Sequence, residues 1–258
     1  MKLFDMTGKV ALVTGSSRGI GRAIAEACAN AGAQVVISSR RQEACDEAAE
    51  AINAEHGEAR AIAIAANISS KAALEALVAQ TRAALGDINV LVCNAASNPY
   101  YGSMSGISDE QFRKTFDNNV LSNHWLIQMV APAMIERKDG AIILVSSIGG
   151  LIGSAALGAY NITKAADFQL VRNLALELGR HNVRVNAIAP GLIRTDFARA
   201  LWESPSAEAT VNRATPLGRL GETTDIAGAA VFLASQAGAF ITGQRIIIDG
   251  GMMIKGSV

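Results

Sequence analysis

The chain has 258 residues, half of them hydrophobic, and its 23 basic side chains balance its 23 acidic ones to a formal net charge of zero. That balance argues against a nucleic-acid footprint, which needs clustered excess Lys and Arg, and no apolar run approaches the ~20 residues that span a bilayer. Three cysteines (Cys28, Cys45 and Cys93) are an odd number without metal-type spacing, which excludes disulfide and zinc scaffolds and suits a reducing cytoplasm. In chain order, Met1-Lys2-Leu3-Phe4-Asp5 has no apolar core followed by small residues, so no secretory signal is expected there. Val10-Ala11-Leu12-Val13 then reads as a strand, Ile20 to Ala31 as an amphipathic helix and Val35-Val36-Ile37 as a second strand. A polar helix from Gln42 to Glu55, a strand at Ala61–Ile64, a helix near Lys71–Leu85 and a strand at Val90-Leu91-Val92 continue the alternation. Ile142–Val145, Val183-Arg184-Val185 and Ile246-Ile247-Ile248 supply three more strands.

Apolar runs of about four residues are too short for helices, and their alternation with helical patterns predicts βαβ units. Right-handed crossovers place helices on both faces. The expected fold is therefore α/β, a doubly wound parallel sheet, with residues 1–258 as a single domain. Gly32 and Gly86 fall where helices should stop, as C-terminal caps do. Three of the five prolines, Pro190, Pro205 and Pro216, fall within 188–220, which reads as the least regular stretch and as a substrate loop at about 190–220.

Thr14-Gly15-Ser16-Ser17-Arg18-Gly19-Ile20-Gly21 follows the first strand and opens the first helix. Glycines there let the backbone approach a pyrophosphate, whose charge rests on helix N-terminal N–H groups. The spacing G-x-x-x-G-x-G departs from the G-x-G-x-x-G of other dinucleotide folds. At the end of the second strand, Ile37-Ser38-Ser39-Arg40-Arg41 has no acid where an NAD-preferring fold places one for the ribose 2′-OH. A hydroxyl and guanidinium forks suit a 2′-phosphate instead, so Ser39 and Arg40 point to NADP(H), with Arg18 as a further contact.

Tyr160 and Lys164 stand four apart on one helix face. An ammonium beside a phenol stabilises phenolate, and this is expected to bring the tyrosine down from about 10 toward neutrality. Ser147, at the end of the fifth strand, offers a hydroxyl to hold a substrate oxygen against that phenol. Each residue alone has an ordinary surface explanation; the ordered combination downstream of the glycine turn is far more specific.

On these motifs, together with Asn94-Ala95-Ala96, Asn119, Pro190-Gly191 with Thr195, and Asp249-Gly250-Gly251, the chain resembles the short-chain dehydrogenase/reductase family over essentially its whole length. The resemblance implies a Rossmann-type fold, with a cofactor half at about 1–140 and a catalytic and substrate half at about 141–258. It implies Tyr160 as general acid/base, Ser147 orienting the carbonyl, Lys164 on the nicotinamide ribose, and Asn119 holding a relay water. Cofactor contacts are implied at Gly15, Ser17, Arg18, Gly19, Ile20, Ser39, Arg40, Asn67, Ile68, Asn94, Ala95, Tyr160, Lys164, Pro190, Gly191, Ile193 and Thr195.

Three positions depart from the family pattern. Cys93-Asn94-Ala95-Ala96 stands for Asn-Asn-Ala-Gly, Asn67 for an acid at the adenine, and Asn118 beside Asn119 leaves two choices for the relay position, of which Asn119 is taken. A narrower resemblance, through Ser38-Ser39-Arg40, residues 94–102 and Ala189–Ile193, is to the NADP-dependent carbonyl and retinal reductase branch (the dehydrogenase/reductase member-4-like group). Its animal members carry a peroxisomal tail, whereas Lys255-Gly256-Ser257-Val258 is not of the S-K-L type, so a cytoplasmic location is expected.

The expected activity is NADPH-dependent, reversible reduction of a ketone or aldehyde. Ile148, Ser154, Tyr100 and Trp202 are candidate substrate residues, with Leu151, Tyr101, Leu192, Phe197 and Leu201 beside them. Their largely apolar character suits a hydrophobic substrate. The alternative is a 3-oxoacyl-[acyl-carrier-protein] reductase, for whose acidic carrier Arg194, Arg199, Arg213 and Arg219 would ring the mouth. A non-catalytic dinucleotide sensor on the same fold is the third reading. No metal site, nucleic-acid partner or membrane partner is expected. Charged residues make up 18% of the chain, against about 25% in an average soluble domain; this predicts surface covered by oligomerisation, and the resemblance implies a homotetramer.

Overall fold

Seven parallel strands make one sheet among the residues described, 2–254, in a computed structural model of the chain. They are β1 (Val10–Thr14), β2 (Gln34–Ser38), β3 (Ala61–Ala63), β4 (Val90–Cys93), β5 (Gly140–Val145), β6 (Val183–Pro190) and β7 (Arg245–Ile248), in the spatial order β3-β2-β1-β4-β5-β6-β7. The tail at 255–258 lies outside the described residues.

Because successive side chains point to opposite faces, each buried strand feeds two cores. From β1, Ala11 and Val13 join Ile24, Cys28, Ile52, Ile226 and Leu233 beneath α1 (Gly19–Asn30), α2 (Gln42–His56) and α8 (Thr223–Ala234). Val10 and Leu12 join Leu74, Leu126, Met134, Phe168 and Val171 beneath α3 (Lys71–Leu85), α5 (Ser122–Arg137) and α6 (Gly158–Leu178). Two shorter helices, α4 (Asp109–Phe116) and α7 (Pro205–Ala214), pair with neither core in this way.

Local chemistry sets the element ends. Ser70 accepts the Ala73 N–H at the start of α3, and Gly86 closes that helix with φ +86°. Ser108 and Gln111 form a reciprocal capping box on α4. Gly32 follows α1 with φ +101°, against Thr7, so a side chain is barred both by conformation and by space.

Two expectations are corrected. β6 runs on to Pro190 because Asn186, which interrupts the apolar run, is itself an internal tie: its amide donates to Ile241 O at 2.8 Å and its Oδ1 accepts Gln244 N at 3.0 Å. The stretch 188–220 is not irregular throughout. It holds a 3-10 turn, Asp196–Leu201, and then α7, where Ser204 accepts the Ala207 N–H and Pro205 occupies the first turn.

The strand order reverses where β1 lies between β2 and β4, so the carboxyl ends of β1 and β4 bound a crevice. In that crevice Gly21 passes so close to the turn before it that an added Cβ would lie within 3 Å of both Asn94 Nδ2 and Gly15 O. Gly21→Ala is expected to cost about 1–3 kcal/mol through overpacking, read as a lowered denaturation midpoint in urea.

Candidate active site

The loop between β1 and α1 is fastened to β4. Thr14 Oγ1 accepts the N–H groups of Asn94 and Ala95, each at 3.1 Å, and donates to Val92 O at 3.3 Å. Asn94 Nδ2 donates to Thr14 O at 2.9 Å and Gly15 O at 3.2 Å. Ser16, fully buried, donates to Val13 O and accepts the Ser38 N–H, joining the ends of β1 and β2. Gly15 and Gly19 adopt φ +66° and +62°. Arg18 enters α1 in an extended conformation and no side chain caps the helix. Uncapped first-turn N–H groups beside a glycine cradle fit the diphosphate of a dinucleotide. Ser17 and Ile20 are half-buried along the same turn.

At the end of β2, Ser39 N donates to Cys45 Sγ at 3.1 Å and its hydroxyl lies 3.2 Å from the same sulfur. Arg40 and Arg41 are exposed beside it. Asn67 turns its Oδ1 onto Ser69 N and Oγ, leaving its N–H₂ as the outward group, and Ile68 packs half-buried against the second core.

The proton-transfer candidates converge beyond β5. Ser147 Oγ accepts Gly149 N at 3.0 Å, and its hydroxyl is near enough to the Tyr160 phenol to favour the ionised form. Lys164 Nζ is buried, 5.7 Å from the Tyr160 ring centre, and donates to Val145 O at 2.9 Å and to Asp167 Oδ2 at 3.3 Å. Asn119 sits in a single π-turn, Asp117–Leu121, between α4 and α5. Its Nδ2 donates to Ser97 O and Thr163 Oγ1, both at 3.0 Å, and its Oδ1 accepts Ser97 N at 2.8 Å. Its carbonyl accepts Asn123 Nδ2 at 2.7 Å. Asn118 also reaches the 97 loop, donating to Ser97 Oγ at 2.9 Å.

The expected downward shift of Tyr160 is corrected. Burial is the largest influence and holds the phenol above its ordinary value, with Lys164 pulling it down and Asp167 pushing it up. Asp167 was not singled out from the sequence, although a carboxylate three residues after Lys164 on a helix that buries an apolar face was a usable signal. Burial raises its carboxyl to about 6 despite Lys164 and Asn123.

The segment after β6 covers the other side. Gly191 N donates to Ile248 O at 2.8 Å, and an added Cβ would lie 2.7 Å from Asp249 Cα, so Pro190-Gly191 passes flat against the Asp249 turn. Buried Ile193 bridges to Gly221. Thr195 stands beside Gly19. Between this segment and α1 lies a cavity of about 350 Å³, lined by Gly19, Arg194, Thr195, Asp196 and Trp202 among others.

Of the substrate candidates, Ile148 is buried next to Ser147, and Phe197 brings its ring to 6.0 Å from that of Tyr160. Three of the others have partners of their own. Trp202 stacks under the Arg194 guanidinium at 5.0 Å. Tyr100 donates to Ser103 O within its own loop, and Ser154 accepts Ala156 N and Leu157 N at the start of α6. Arg18, expected as a further cofactor contact, is exposed and pairs with Asp196 at 3.1 Å. Arg194 pairs with Glu208 and Glu222, Arg199 with Asp196, and Arg219 with Asp225, so these three do not form a bare basic rim.

A family model described as enoyl-(acyl carrier protein) reductase matches residues 15–253. Dehydrogenase/reductase SDR family member 4 of Bos taurus is 39% identical over 249 residues, 96% of this chain and 88% of that one. A gluconate 5-dehydrogenase from Burkholderia cenocepacia J2315, solved with NADP and tartrate, superimposes with a TM-score of 0.93 at 30% identity, covering 99% of each chain. A 7α-hydroxysteroid dehydrogenase solved with NADH and 7-oxo glycochenodeoxycholic acid does so at 0.92 and 36% identity, covering 97% of this chain and 96% of that one.

Thr14→Val keeps the shape of the side chain and removes its hydroxyl, leaving the Asn94 and Ala95 N–H groups without their acceptor. A loss of about 1–3 kcal/mol per unpaired group is expected, measured by equilibrium denaturation.

Proposed function

Because the chain belongs to the short-chain dehydrogenase/reductase family, oxidoreductases acting on alcohols and carbonyls, we propose that it reduces a hydrophobic ketone or aldehyde reversibly to an alcohol, using NADPH. The observation that carries this reading is the meeting of the Ser147 hydroxyl and the Tyr160 phenol, with the Lys164 ammonium behind them, at the carboxyl end of β5.

Bound along the β1–α1 turn, NADPH supplies the hydride for the carbonyl carbon. The turn from Gly15 to Ile20, Asn94, Ala95 and the 190–195 segment would hold it, with Ser39 and Arg40 on the 2′-phosphate and Asn67 and Ile68 at the adenine. The two neighbouring structures hold different nicotinamides, NADP in one and NADH in the other. The cofactor choice here therefore rests on the end of β2, where residues 37–41 carry two arginines and no carboxylate.

In reduction, the Tyr160 O–H donates its proton to the carbonyl oxygen as negative charge develops there, while Ser147 donates a hydrogen bond to the same atom. Positioned proton transfer of this kind contributes roughly 10²–10⁴-fold, and the paired donors act as an oxyanion site. A phenol held above its ordinary value is protonated at neutral pH, the form that reduction consumes. Lys164 stabilises the phenolate left behind, and Asn119 holds the 97 loop and the start of α5 around it. Ile148 and Phe197 give the substrate an apolar wall. Residues 1–140 serve as the cofactor half and 141–258 as the catalytic half of one domain. A homotetramer in the cytoplasm would cover Phe240 and Leu176, both large and exposed. Among the described residues no helix is long and apolar enough to cross a membrane.

The deciding experiment is initial-rate oxidation of NADPH, with NADH in parallel, over aryl ketones, α-diketones, retinal and acetoacetyl thioesters. Turnover of simple ketones with NADPH supports the reading; preference for the thioesters would replace it with the carrier-protein reading. Binding of NADPH without any turnover would favour a sensor. Tyr160→Phe is expected to abolish turnover and leave NADPH binding intact, measured by fluorescence titration. Arg40→Ala removes a charge-assisted hydrogen bond and should lower kcat/KM with NADPH roughly tenfold to a hundredfold while sparing NADH; equal losses with both cofactors would make Arg40 structural.

A further inference from the structure

α6 carries Tyr160, Lys164 and Asp167 at positions i, i+4 and i+7, so all three lie on one face, Lys164 and Asp167 buried and Tyr160 half-buried at its mouth. The Lys164 and Asp167 side chains are 3% and 0% exposed. Asp167 Oδ2 lies 3.3 Å from Lys164 Nζ, and its Oδ1 accepts Asn123 Nδ2 at 3.3 Å. Asn123 Nδ2 reaches on to the Asn119 carbonyl, tying the carboxylate to the π-turn. On β4, burial and the Asp167 charge push the Cys93 thiol far up, so it adds no anion. From β5 the contact is the neutral Val145 carbonyl, and from the loop beyond it the neutral Ser147 hydroxyl. One ammonium thus faces two groups that can carry negative charge, the Asp167 carboxyl and the Tyr160 phenol.

A buried ammonium balances one buried anion. With the charge of Lys164 already shared with Asp167, ionising Tyr160 would add a second anion to a single cation. With a neutral side chain at 167, the same ammonium would be left to the phenolate alone. Resting on the function proposed above, we propose that Asp167 is a positioning residue for the Tyr160–Lys164 pair: by sharing the ammonium as its own counter-ion it raises the pH at which Tyr160 gives up its proton, favouring the phenol that donates in carbonyl reduction over the phenolate that alcohol oxidation requires. The opposed effects of Lys164 and Asp167 on the Tyr160 phenol agree with this arrangement.

The test is a spectrophotometric titration of the full chain in the phenolate absorption band, from which the same titration of Tyr160→Phe is subtracted to isolate Tyr160 from the other two tyrosines. In Asp167→Asn the Tyr160 midpoint is expected to fall by about one to two pH units, the shift an unopposed charge at this range produces. Asp167→Ser, a smaller neutral side chain that keeps an acceptor for the ammonium, should give the same fall if the Asn variant does not fold. Asp167→Glu restores the carboxylate and should return the midpoint toward that of the parent. An unchanged midpoint in the neutral variants would overturn the proposal, and so would an equal fall with Glu, which would mark a packing role. The titration needs no substrate, so it decides the role of Asp167 even if no carbonyl in the panel is turned over. If alcohols are turned over, the pH profile of their oxidation should move down by the same interval in Asp167→Asn, and a profile left in place would count against the proposal.

Discussion

The second half of the chain packs around a lysine ammonium taken out of water. Burying such a charge costs several kcal/mol unless it is paired and hydrogen-bonded, and Lys164 meets that demand through Val145 O and Asp167. Both contacts constrain α6: one presses it onto the end of β5, the other turns a carboxylate toward α5, where Asn123 receives it. Ser146 adds a third tie by donating to Lys164 O at 2.8 Å. α6 runs so close to the turn after β5 that a Cβ on Gly150 would lie 2.6 Å from the Lys164 backbone. Ser147 sits between these contacts, so the hydroxyl and the phenol are brought together by a scaffold that exists to accommodate the lysine.

The first half of the chain depends on a different kind of contact. Thr14 and Asn94 use neutral hydrogen bonds to join the carboxyl ends of β1 and β4 at the switch in strand order. That knot places Gly15, Gly21 and the uncapped start of α1 in one plane of close approach. Of the two family asparagines, Asn94 makes this tie and Cys93 replaces the other. Cys93 is 2% exposed and packs into the core beneath α3, α5 and α6, so the replacement removes a polar group from a place where none is used.

The wall on the far side is held more lightly. Arg18 with Asp196, Arg199 with Asp196, Arg194 with Glu208 and Glu222, and Arg219 with Asp225 are all at least partly solvent-exposed. Pairs of this kind contribute about 0–1 kcal/mol each and weaken with salt. The buried lysine and the Thr14–Asn94 knot are held by buried contacts, whereas the segment carrying Phe197 and Trp202 is held by these exposed pairs.

Short apolar runs alternating with amphipathic stretches were enough to establish the parallel α/β architecture, because strand burial on both faces and the 3.6-residue helix period are local properties of the chain. The glycine turn, the arginines after β2 and the Tyr160–Lys164 spacing were legible for the same reason: each is a constraint between neighbours in sequence. Only the tertiary structure showed that Arg18 turns to Asp196 and that β6 runs on through Asn186, since each depends on a residue tens of positions away; the partners of Tyr100, Ser154 and Trp202 are near in sequence, but loop geometry decides them. Burial decided the rest. The Tyr160–Lys164 spacing predicts a lowered phenol, but desolvation and Asp167 outweigh that attraction, and both are properties of the folded interior that no spacing along the chain contains.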